Sequence, residues 1–255
     1  TLPVFRSICA VSGDRYSTPA VLSTRMANAD GPGGEDESGR GADAGFAAAR
    51  RSLVDGLRET QDVSERTLSA IGAVPRHEFV PDPHRSRAYA DRPLPIGHDQ
   101  TISAPHMVAV MADLLDVERG DRVLEVGTGC GYHAAVLAEL VGPGNVYSAE
   151  YVPELAADAR ERLERLGFDV TVRAGDGREA FRDEAPFDAA SLTCAPTGDV
   201  PEAIVEQVRP GGRVVAPVGG GGILGRGSQR LVRLTVREDG VDREDHGGVR
   251  FVPMR

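Results

Sequence analysis

The chain has 255 residues, 40% of them hydrophobic, enough for one large domain or two small ones with a full core. With 39 acidic residues against 29 basic ones, every one an Arg, the formal charge is −10, so no sequence-independent grip on nucleic acid is expected. No run of about 18 apolar residues occurs, and no membrane span is expected. The charge fits a protein working at high ionic strength, where the Debye length shrinks to roughly 3 Å. A GC-rich coding bias would also give Arg in place of Lys. Cys9, Cys130 and Cys194 have neither metal-ligand nor redox spacing, so a reducing, cytoplasmic setting and no metal site are expected.

Residues 1–45 read as a tail. The segment 28–45 is rich in Gly and acids and is expected to be disordered. No apolar stretch of a signal peptide is present. Met26 heads a sensible sequence, which makes it a candidate natural start; an intact mass of the protein made from its native gene would decide that. A helix is predicted over 46–60. A second begins after Asp62, which has capping-box spacing to Glu65. Residues 76–104, rich in Pro and His, read as a long ordered loop of the kind that tends to be functional. A helix over 105–117 follows, with Pro105 in its first turn.

From Asp121 strands and helices alternate. "RVLEVG", "NVYSAE", "DVTVRAGD", "FDAASLTC" and "GRVVAPVG" read as strands. Helices fall over 131–140, 153–166 and 199–208. This predicts an α/β fold, a doubly wound and mostly parallel sheet. "RLVRLTVRED" and "GGVRFVPM" add two antiparallel C-terminal strands, and the helices before residue 120 form an N-terminal extension. One domain is expected over 46–255: helices and substrate loop at 46–120, cofactor core at 121–219, C-terminal strands at 220–255.

The first core strand ends in "LEVGTGCGY". Gly127, Gly129 and Gly131 let the backbone turn sharply and a ligand approach it. The spacing is G-x-G-x-G, and Tyr132 stands where a dinucleotide fingerprint has its third glycine, so a pyrophosphate site fits badly. Glu150 ends the second strand, where a carboxylate can accept both ribose hydroxyls of an adenosine. "GDG" at 175–177 ends the third, and Asp176 and Gly177 can close over an adenine edge. The set is the pattern of class I S-adenosylmethionine methyltransferases, whose cationic ligand Glu125 can face. Thr128 completes the turn. Cys130 and Cys194 read as packing residues, and His133 as a surface or packing residue.

The acceptor is indicated elsewhere. "LTCAP" at 192–196 lacks the Asn/Asp-Pro-Pro-aromatic loop of amino-group methyltransferases, and no Pro-Cys dipeptide suggests cytosine C5 chemistry. "VPRHEFVP" (74–81), "QTISAPHM" (100–107), "GDGR" (175–178), "PGGRVVAPVG" (210–219) and the closing "FVP" resemble the protein-L-isoaspartate O-methyltransferase family, from about Val63 onward. The resemblance implies S-adenosyl-L-methionine as cofactor and methyl transfer to the free carboxylate of L-isoaspartyl residues in age-damaged proteins, leading to repair through a succinimide. It places the active-site serine at Ser103, orienting the acceptor carboxylate; the hydroxyl could equally cap the helix that starts at Pro105. Thr101, Ile102 and His106 would wall the cofactor, though His106 could equally be a first-turn surface residue, and Ile96, Gly97 and Val218 would meet the substrate. A monomer with no nucleic-acid or membrane partner is expected. "GHDQ" (97–100) departs from the family: Asp99 replaces a glycine and adds a negative charge, which His98 could offset. "GGGGILGRGSQ" (219–229) is unusually rich in glycine. The competing readings are a class I methyltransferase acting on a small carboxylic acid or other metabolite, a nicotinamide oxidoreductase, and a cofactor-binding scaffold without turnover.

Overall fold

A computed structural model describes residues 37–219 and 228–255. The expectations for the tail up to residue 36, including Met26, and for most of the glycine run at 219–229 lie outside the described residues. Ser38–Arg255 is one compact unit. Helix α1 spans Glu37–Thr60, beginning earlier than the predicted residue 46. It is anchored by buried Leu53 and Leu57 and by Phe46, stacked 4.2 Å from the His77 ring. Once nucleated, a helix gains one backbone hydrogen bond for each residue it fixes, which carries α1 through Gly39, Gly41 and Gly45 although each costs about 1 kcal/mol relative to Ala.

Helix α2 (Glu65–Ala73) is capped by Ser64, not by the predicted Asp62 box. The Ser64 hydroxyl accepts from Thr67 N–H, and Ser64 N–H donates to Asp113 at 3.0 Å. Glu65 is drawn away into a pair with Arg58 at 2.7 Å. Residues 76–104 hold more structure than a loop: a 3-10 turn at Arg76–Phe79, a short helix α3 (Asp82–Arg85) and a hairpin of β1 (Leu94–Gly97) and β2 (Gln100–Ile102). Helix α4 (Pro105–Leu114) stops short of residue 117, where Asp116 turns to positive φ.

The core elements then follow in order: β3 (Val123–Val126), α5 (Tyr132–Val141), β4 (Val146–Glu150), α6 (Pro153–Arg165), β5 (Val170–Ala174), β6 (Phe187–Leu192), α7 (Glu202–Val205), β7 (Val208–Gly219), β8 (Gln229–Arg237) and β9 (Gly240–Val249). The sheet order is β5-β4-β3-β6-β7-β8-β9, parallel from β5 to β7 and antiparallel at β8 and β9. This is the predicted doubly wound class. The four residues of β3 are all buried, as a strand covered on both faces requires. Val123, Val146 and Ala189 pack with α4 and α5, while Leu124, Val126 and Ala190 pack with Phe181 and Phe187.

Two predicted elements are corrected. The helix at 199–208 shrinks to α7, because the chain enters β7 at Val208, opposite Phe187. The last strand is the polar 240–249 segment, not 247–254. It lies at the sheet edge, where Asp242 and Asp245 pair across to Arg237 and Arg230, each at 2.7 Å. An edge strand with charged side chains carries no apolar alternation to read. Among the described residues no helix is long and apolar enough to cross a membrane.

Candidate cofactor and acceptor site

The connections from β3 run outward through β4 to β5, then reverse through β6 to β7. Ligands of such sheets bind at that reversal, beyond the strands' C-terminal ends. A cleft lies there, lined among others by Gly127, Gly129, Glu150, Tyr151, Gly177 and Cys194. Each of these residues follows or ends a parallel strand. The far wall is the tail 252–255, pinned where Ala195 N–H donates to Val252 O and Met254 N–H to Ala195 O, both at 2.8 Å.

Gly127 has φ 101°, and a Cβ there would overlap the Thr193 hydroxyl, which donates to Gly127 O at 2.5 Å. Gly129 has φ 54°, with Ile96 packed so that an added Cβ would meet it at 3.3 Å. The turn is therefore closed to side chains on both sides. Gly131 lies deeper: it precedes α5 against Leu163 and does not line the cleft. Gly177 does line it, packed so closely on Val126 that no Cβ fits.

Glu150 is 7% exposed. Its Oε2 accepts from Gly129 N–H at 2.8 Å and its Oε1 from Val152 N–H at 3.0 Å. A carboxylate has about four acceptor sites, so two remain for ribose hydroxyls. Tyr151, half exposed beside it, offers a flat face at the cleft mouth. Burial pushes the Cys194 thiol up to about 12, which keeps it neutral and supports its reading as packing.

Several cofactor expectations are corrected. Glu125 does not face the cleft. It is fully buried behind the turn, accepting from Ser148 Oγ and lying 3.0 Å from His133 Nδ1. His133 is correspondingly no surface residue. Thr128 joins this network through its hydroxyl, 2.5 Å from Ser148 Oγ. Asp176 is turned outward, held below the usual carboxylate range by the Arg178 guanidinium, which donates to both its oxygens. His106 lines a different space, with Nδ1 2.9 Å from Asp91 Oδ1.

That space is a groove of about 530 Å³ lined by Ser103, His106, Met107, Gln229, Arg250 and others. Thr101 and Thr193 border both groove and cleft, so the two meet there. The Ser103 hydroxyl does not cap α4: the cap position is Ala104, without a side-chain bond. Ile102 is buried beside it, facing a smaller cavity between Ser103 and the glycine turn. Of the expected acceptor residues, Ile96 packs on Gly129 and Gly97 opens the β1–β2 turn with φ 93°. Val218 is corrected: it is buried in the core with Val232 and Leu234, because β7 is covered on both faces.

The residue that composition and periodicity miss is Arg76. It is fully buried, donating from Nε to Ala88 O at 2.8 Å and from Nη2 to Ser103 O at 2.7 Å. Its guanidinium lies 4.6 Å from the centre of the Tyr132 ring, at the start of α5. Burial pushes the Tyr132 phenol up to about 12, so it stays neutral under the cation. One side chain thus ties the Ser103 segment to the end of the glycine turn.

A doubly wound sheet with an acid-terminated second strand, a side-chain-free glycine turn and a cleft at the switch point defines a class I S-adenosylmethionine methyltransferase fold. The family described as protein-L-isoaspartate(D-aspartate) O-methyltransferase (PCMT) matches residues 48–255. The chain is 50% identical over 209 residues to protein-L-isoaspartate O-methyltransferase 2 of Archaeoglobus fulgidus, covering 81% of this chain and 92% of that one. It is 52% identical over 207 residues to the Methanothrix thermoacetophila protein-L-isoaspartate O-methyltransferase, covering 80% and 94%. A solved protein-L-isoaspartate O-methyltransferase superposes with TM-score 0.72 at 29% identity, over 80% of this chain and 65% of its own. A Plasmodium falciparum beta-aspartate methyltransferase (PCMT) structure in complex with S-adenosyl-L-homocysteine shares the fold, with TM-score 0.68 at 24% identity, over 81% and 98%. The chain belongs to the protein-L-isoaspartate O-methyltransferase family.

Proposed function

We propose that this chain methylates the free carboxylate of L-isoaspartyl residues in damaged proteins, using S-adenosyl-L-methionine. The observation that carries the reading is the meeting of the Glu150 cleft and the Ser103 groove at Thr101 and Thr193. The cleft fits the cofactor: Glu150 keeps acceptor sites for ribose, and the glycine turn admits a ligand against its backbone. When bound, the cofactor supplies a methyl group on a sulfonium. Glu150 would hold the ribose, and Tyr151 and Gly177 would flank the base.

Ser103 would orient the acceptor carboxylate. No general base is needed, because a carboxylate with a pKa near 4 is already ionised at neutral pH. The chain's work is alignment, and a fixed near-attack geometry can account for a large part of a rate enhancement. The resulting ester closes to a succinimide on the acceptor peptide, losing methanol, and hydrolysis returns part of it to Asp. The groove is lined from several elements, by Ser103 and His106 on one side and Gln229 and Arg250 on the other, which suits an extended peptide acceptor. Residues 38–255, one compact unit, serve as the single methyltransferase domain, acting as a cytoplasmic monomer.

Protein aged to accumulate isoaspartate should take up base-labile methyl label from S-adenosylmethionine, while freshly folded copies should not. Equal uptake by both would contradict the reading.

A further inference from the structure

Between the glycine turn and the Ser103 segment lies a small cavity, lined by Ser103, Gly127, Thr128, Cys130, His133 and others. Glu150 is not part of it, but Thr101, Gly127, Gly129 and Thr193 border both this cavity and the main cleft. One elongated ligand can therefore occupy both.

His133 is the polar side chain whose presence here packing does not explain. It is 7% exposed, and both ring nitrogens are buried without a hydrogen-bond partner among the described residues. Its Nδ1 lies 3.0 Å from Glu125 Oε1, within ion-pair reach though bent away from hydrogen-bond geometry. Glu125 is itself fixed by Ser148, and Ser148 by Thr128. A buried nitrogen without a partner is costly, and an apolar residue would fill the space without that cost.

We propose that His133 binds the cofactor, its Nε2 accepting a hydrogen bond from the α-ammonium group at the amino-acid end of S-adenosylmethionine. The inference rests on the cofactor reading above. With its proton on Nδ1, beside the carboxylate, the ring presents its lone pair at Nε2. An ammonium there satisfies the orphan nitrogen. It also places positive charge near the buried Glu125 carboxylate, which a neutral or anionic ligand group would not offset. Glu125 thus acts on the cation through His133 and not by facing it.

The test is calorimetric binding of S-adenosyl-L-homocysteine and of its analogue lacking the amino group, to the full chain and to His133→Leu. The wild type should bind S-adenosyl-L-homocysteine about ten- to hundredfold more tightly than the deaminated analogue, and His133→Leu should lose that preference while binding the analogue unchanged. His133→Asn, whose side-chain oxygen can accept, should recover part of it; should the Leu variant not fold, His133→Phe, whose ring has no lone-pair acceptor, takes its place in the comparison. An equal loss for both ligands, or no loss for either, would overturn the assignment. Failure of the wild type to bind S-adenosyl-L-homocysteine at all would instead overturn the cofactor reading.

Discussion

Replacing Arg76 by Met should separate catalysis from both folding and cofactor binding. The guanidinium makes two hydrogen bonds, to Ala88 O and Ser103 O, and no acidic side chain pairs with it among the described residues. Each bond from a charged donor is worth about 1.5–3 kcal/mol when broken. Against that, burial alone disfavours the charge and lowers the group's pKa from its ordinary value. An unpaired buried ion carries a desolvation cost of several kcal/mol, on the order of what the bonds return. Met fills similar volume without the charge, so the net change in stability should stay within about 2 kcal/mol, and Tm should move by only a few degrees. The Ser103 segment, however, loses its donor. A shift of about 1 Å at a positioning group can cost about a hundredfold in rate. The assay is kcat on an isoaspartyl peptide beside calorimetric affinity for S-adenosyl-L-homocysteine. The expected result is a fall in kcat of about ten- to hundredfold at unchanged cofactor affinity, with Arg76→Lys little better because an ammonium cannot span both carbonyls. A rate close to wild type, or a loss matched by an equal loss of cofactor affinity, would refute the positioning role.

Glu150→Gln leaves Gly129 or Val152 N–H facing an amide that cannot accept, and should weaken S-adenosyl-L-homocysteine binding about ten- to hundredfold. Ser103→Ala should instead lower kcat with cofactor binding intact; equal loss of binding in both variants would contradict that division of labour. Asp99 holds φ 59° in the β1–β2 turn, so Asp99→Gly should stabilise the protein by about 1 kcal/mol, read as a Tm rise of about 2–4 °C. Burial is the largest influence on His77, lowering it from 6.5, with Glu78 opposing. A depressed folded-state value means that stability is fully present above about pH 6.5 and lost as pH falls through the folded value. Urea unfolding should therefore show a loss on going from neutral to mildly acid pH that is smaller in His77→Phe.

The parallel core was legible because its signals are local. Val123–Val126 form a continuous apolar run broken by one acid, the glycines follow at once, and Glu150 ends the next strand, so the cleft could be placed from spacing. What spacing cannot supply is the direction of a side chain. Glu125 and Glu150 both end or nearly end a strand. Glu125 lies opposite Ser148, two residues short of Glu150, so it stays buried on the α5 side while Glu150, at the strand end, reaches back to Gly129. Arg76 was invisible for a related reason: a buried guanidinium is held by carbonyls of residues 88 and 103, distant in sequence, and nothing in the apolar pattern marks it. Strand β9 went unread because an edge strand meets neighbours through charge pairs. His106 and Val218 were placed by resemblance, and the hairpin and the double-sided cover of β7 put them elsewhere.

The central claim is tested most directly by methyl transfer from labelled S-adenosylmethionine to two peptides differing only in L-isoaspartate or L-aspartate at one position, in low and molar salt. Base-labile label on the isoaspartyl peptide alone is the expected result. The rate should rise with salt if the −10 charge repels an anionic acceptor, since roughly molar salt shortens the Debye length to about 3 Å. Label on both peptides, or on neither while S-adenosyl-L-homocysteine still binds, would contradict the account and point to another acceptor.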